Sequence, residues 1–68
     1  MFFNRVMQPY RKSCKNAIGR HYCGSADLMA DRIDKHTYYS VWHVGEKLLE
    51  VIHDGYGKIS IYEFLPAQ

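Results

Sequence analysis

The chain has 68 residues and a net charge of only +2, which leaves room for one domain, residues 1–68, and excludes a second. It holds no apolar run near the roughly 20 residues needed to cross a bilayer, and no charged-then-apolar leader with a cleavage site. No membrane contact and a cytoplasmic location are therefore expected. At this length a chain buries only about 60% of its extended surface, so the core is marginal unless a disulfide, a metal or a partner subunit supports it.

Residues 2–7 (FFNRVM) read as an extra strand or a hydrophobic arm laid on a sheet. Pro9 fits the first turn of a helix, and Tyr10, Cys14, Ala17, Ile18 and Tyr22 recur at helical spacing until Gly24, a plausible stop. Ser25 offers an N-cap for a second helix, with Asp27 in its first turn and Ala26, Met29, Ala30 and Ile33 as its apolar stripe. Residues 38–65 read as three strands joined by turns at Gly45-Glu46 and Asp54-Gly55-Tyr56-Gly57. The expected fold is a small two-layer α+β domain of order (β)-α-α-β-β-β, a three-stranded antiparallel meander packed on two short helices.

Strand alternation assigns faces. The loop at Gly45-Glu46 pairs Val44 with Lys47, Trp42 with Leu49, Ser40 with Val51 and Tyr38 with His53. The simplest second hairpin places His53 opposite Lys58, Val51 opposite Ser60, Leu49 opposite Tyr62 and Lys47 opposite Phe64. One face then carries Tyr38, Trp42, Tyr62 and Phe64 with Lys47, His53 and Lys58. The other carries Tyr39, Val41, His43, Leu48, Ile52, Ile59, Ile61, Glu63 and Leu65, with Glu50 as its misfit. The aliphatic face is the expected core and the aromatic face the expected contact surface. A one-residue slip would exchange faces.

Cys14 and Cys23 lie near opposite ends of the first helix, roughly 13 Å apart at 1.5 Å per residue, beyond the ~7 Å limit for a disulfide. His21 and His36 lie nearby in sequence, but no C-x2-C knuckle accompanies them, so neither metal nor cofactor is expected. His43 is placed near Glu63 and His53 opposite Tyr38, pairs that are more often structural than catalytic. No nucleophile elbow, H-E-x-x-H site or phosphate-cradling glycine loop is present in the sequence. A non-enzymatic protein is expected.

Charge is polarised along the chain. Arg5, Arg11, Lys12, Lys15 and Arg20 precede the first acid, and all seven acidic residues follow. The stretch Val41-Trp42-His43-Val44-Gly45-Glu46-Lys47-Leu48-Leu49-Glu50-Val51 resembles the hairpin of RelE/ParE-type toxins, whose order is β-α-α-β-β-β. The ribonuclease branch of that family carries arginines and lysines on the late strands, where this chain has only Lys47 and Lys58. The resemblance therefore implies a hairpin geometry and no activity.

These features point to a small regulatory or inhibitory protein that occludes a partner macromolecule, chiefly a protein, as phage and mobile-element accessory proteins of this size do. The expected contact residues are Trp42, Tyr62, Tyr38, Phe64 and Lys58. A homodimer is another use of the same face. The alternative is a nucleic-acid binder using Arg11, Lys12, Lys15 and Arg20.

Overall fold

A computed structural model describes residues 2–64, with side chains from Arg5 onward. Helix α1 (Phe2–His21) is followed by β1 (Ala26–Asp34), β2 (Thr37–Val44), β3 (Lys47–His53) and β4 (Ile59–Glu63). The strands form one antiparallel sheet in the order β1-β2-β3-β4, and α1 lies against one face of it. The α+β class holds. Within it, the expected second helix is a strand, and the sheet has four strands rather than three.

Helix α1 starts before Pro9 and takes in residues 2–7, which are therefore neither a strand nor an arm. Pro9 sits inside it, removing the N–H that would bond the carbonyl of Arg5. Met7, Cys14, Ala17 and Ile18 form the buried stripe, with Tyr10 and Tyr22 packed beside the core. Arg20 and His21 occupy the last turn, where positive charge is favoured. The Tyr22 amide still bonds the Ile18 carbonyl at 2.9 Å before Gly24, at φ 102°, turns the chain away.

Strand β1 reads as a helix because of a β-bulge. Ala26 pairs with Val44 and Leu28 with Trp42, the register shifts past Met29, and Ala30 then pairs with Val41. The inward positions are thus Ala26, Leu28, Asp31 and Ile33, a spacing whose single extra residue erases the period of two.

The β2–β3 hairpin has the expected register throughout, from Val44 opposite Lys47 to Tyr38 opposite His53. Gly45 takes φ 61° in its loop. The next hairpin differs by one residue. His53 pairs with Ile59, Val51 with Ile61 and Leu49 with Glu63. Asp54 is the cause: its Oδ1 accepts the amides of Tyr56 and Lys58 at 2.7 and 3.0 Å, and its own amide bonds the Lys58 carbonyl at 3.1 Å. The loop so closed takes in Lys58, and β4 is shifted by one position.

That shift moves Ile59, Ile61 and Glu63 to the face of Tyr38 and Trp42, and Ser60 and Tyr62 to the other. The helix covers the first of these, the reverse of the expected coverage. Tyr38, Leu49 and Val51 are 0% exposed and Trp42 3%. This face offers the larger rings for burial, and its polar groups find partners, whereas the opposite face carries the charge of Glu50 on the central strand β3 and that of Arg32 on the edge strand β1. Leu65 lies outside the described residues.

Candidate binding surfaces

Three arrangements bear on function: a polar seam under the helix, the uncovered face of the sheet, and a groove at the edge of β1. In the seam, the Arg11 Nε donates to Asp31 Oδ2 at 2.6 Å, and the Tyr38 hydroxyl donates to the same oxygen at 2.9 Å. The Arg11 hydrogen bond holds the Asp31 carboxyl below its ordinary range against the opposing effect of burial. Burial first, then the bond to Asp31, pushes the Tyr38 phenol well up. Trp42 Nε1 donates to Ser40 Oγ at 2.8 Å, and Ser40 Oγ donates to the Val51 carbonyl at 3.1 Å. Tyr10 stacks on Tyr38 with centroids 5.4 Å apart and meets His53 edge-on at 5.1 Å. Among the described residues no buried side-chain polar atom lacks a partner. The seam orients the helix on the sheet.

The expected contact residues divide among three places. Tyr38 and Trp42 are core, Lys58 lies in the β3–β4 loop, and Tyr62 and Phe64 are exposed on the uncovered face. They form no common surface, because the one-residue shift in β4 separates Tyr62 from Trp42. Lys47 is bound to Glu63 at 3.2 Å, and Glu63 also accepts the Tyr22 hydroxyl at 2.8 Å. His43 faces the side opposite Glu63, so that pair does not form. Glu63 is instead held below its ordinary range chiefly by the Tyr22 bond.

The uncovered face is built in cross-strand rows. Asp27, His43 and Leu48 form one, which Phe64 extends through its amide bond to the Leu48 carbonyl at 2.9 Å. Ala30, Val41, Glu50 and Tyr62 form the next, and Arg32, Tyr39, Ile52 and Ser60 the third. Leu48, Tyr62 and Phe64 are 39%, 55% and 47% exposed. The Arg32 guanidinium lies 4.1 Å over the Tyr39 ring. A depression of about 160 Å³ lies among Ala30, Arg32, Tyr39, Val41 and Glu50, where the small Ala30 follows the bulge. Sequence reasoning placed Val41, Leu48 and Ile52 in the core. Glu50, a charge in the middle of that supposed core, was the signal that the face is wet.

Of the alternative set, Arg11 is engaged by Asp31, while Lys12, Lys15 and Arg20 are exposed. Gln8, Arg11, Lys12 and Lys15 line a groove of about 540 Å³ whose other wall is Ala26, Asp27 and Leu28 and whose floor reaches Trp42.

Both cysteines are free; Cys14 is buried and Cys23 exposed. Burial pushes the Cys14 thiol up to about 11, which keeps it protonated and unreactive at neutral pH. Among the described residues no three His, Cys, Asp or Glu side chains are grouped to hold a metal, and no helix is long and apolar enough to cross a membrane. No protein-family model, curated protein or solved structure matches the chain.

Proposed function

We propose that this protein acts without catalysis, as a small regulatory or inhibitory factor that seats the uncovered face of its sheet on a partner protein and occludes it. The observation that carries the reading is the exposure of Leu48, Tyr62 and Phe64 in adjoining rows of a face that no element among the described residues covers. Aromatic residues and arginine, here Tyr62 and Phe64 with Arg32, are enriched at protein interfaces. Glu50 in mid-face, with Asp27 and Asp34 at the β1 margin, disfavours a phosphate backbone there. The histidines support a binding role as well: His53 is buried and accepts the Gly55 amide, His36 bonds the Asp54 carbonyl, and His43 stands on the open face.

Nucleic acid held by Arg11, Lys12, Lys15 and Arg20 is the weaker reading, because Asp31 engages Arg11 and the ring that lines the groove of Lys12 and Lys15, Trp42, is buried. Capture of partners from a nuclease-treated lysate separates the two. A stoichiometric protein retained by the wild type and reduced more than tenfold by Tyr62→Ala/Phe64→Ala, with unchanged melting, supports the proposal. Capture indifferent to that variant, or abolished by nuclease, overturns it.

A further inference from the structure

The groove between α1 and β1 has features of its own. Strand β1 is at one edge of the sheet, so among the described residues no strand neighbours the outward side of Ala26–Leu28. Lys12 and Lys15 stand above that edge, both exposed, on a helix that contains no acid in its first turn and ends in Arg20 and His21. Residues three apart on a helix are about 5–6 Å from each other, close to the ~6.7 Å between alternate side chains of an extended strand. The floor is apolar and sealed, since Trp42 is 3% exposed and its N–H is given to Ser40. A base has no ring to stack on there, whereas an extended peptide finds both a backbone edge and two matched cations. Met29, 61% exposed, marks the bulge at which the pairing of β1 with β2 shifts register.

We infer that this groove receives an extended acidic segment of a protein, which adds as a short strand beside Ala26–Leu28 and directs alternate carboxylates toward Lys12 and Lys15. The inference concerns a surface other than the uncovered face and stands apart from its role.

The test is titration of the full chain against a short fluorescent peptide of alternating valine and glutamate, read by anisotropy. Controls are the same peptide with lysine for glutamate, an N-methylated form that lacks the backbone donors, and an oligothymidylate of similar charge. Binding of the acidic peptide, at least tenfold weaker for the N-methylated and lysine forms and for Lys12→Glu/Lys15→Glu, is the expected result. The milder Lys12→Gln/Lys15→Gln, matched in melting temperature, is expected to weaken it in the same direction. Absence of binding overturns the inference, as does binding indifferent to both lysine variants. Equal affinity for the N-methylated form removes the strand addition, and tighter lysine-dependent binding of the oligothymidylate assigns the groove to nucleic acid instead.

Discussion

Beneath the helix, Tyr38 and Trp42 each bury a ring and give their polar hydrogen to an internal acceptor, whereas on the uncovered face Tyr62 and Phe64 leave about half their surface in water. Both faces are aromatic, so aromatic content does not distinguish core from contact surface in a small sheet. Satisfied polar tips and charge placement do. On the covered side every ring is locked by a neighbour. On the other, Arg32 over Tyr39 and Glu50 between Val41 and Tyr62 keep the rings beside water. One face specifies the fold, and the other leaves Leu48, Tyr62 and Phe64 exposed.

Four perturbations break or sharpen this contrast. Trp42→Ala removes a buried ring and leaves Ser40 without its donor, at a cost of about 3–5 kcal/mol. That approaches the whole stability of a domain this small, so loss of the cooperative urea transition is expected, not merely loss of binding. Asp31→Ala removes the acceptor shared by the Arg11 Nε–H and the Tyr38 hydroxyl and is expected to cost about 2–3 kcal/mol. The same seam sets an acid response. The folded Asp31 carboxyl titrates below its unfolded value, so its contribution is complete above the ordinary carboxylate range near ~4 and is lost as pH falls through the lower folded value. Melting temperature followed from pH 6 to 2 checks this, and Asp31→Asn is expected to flatten that part of the curve.

Gly55→Ala is next. Gly55 takes φ 87°, and an added Cβ would collide with the His36 carbonyl oxygen, so the turn before β2 and the loop before β4 would have to separate. A loss of about 1–2 kcal/mol is expected in denaturant titration. Tyr62→Ser on the uncovered face is expected to change stability by less than about 0.5 kcal/mol. A larger loss would mean that Tyr62 belongs to the fold and not to the contact surface.

The β2–β3 hairpin was legible because Gly45 supplies the one local conformation its loop demands, and the apolar stripe of Cys14, Ala17 and Ile18 was legible as a helix. Strand β1 was not, since the extra residue Met29 converts alternation into a helix-like interval and the pairing with β2 that decides the matter is non-local. The face of β4 was misread because the Asp54 carboxylate organises a loop that counts of glycines do not reveal. Of the five expected contact residues, only Tyr62 and Phe64 lie on the uncovered face. Their neighbours Leu48 and Val41 could not be picked by type, because which face a helix covers is settled by packing across the whole sheet.

Helix α1 touches β1, β3 and β4, and this has a kinetic side. Its stripe of Met7, Cys14 and Ile18 precedes in the chain every strand that covers it, and Leu49 and Val51 come only with the third. During synthesis the helix must therefore wait, amphipathic and basic, until that strand has emerged. A chain stopped before β3 would lack Leu49 and Val51, the centre of the core on which that stripe packs.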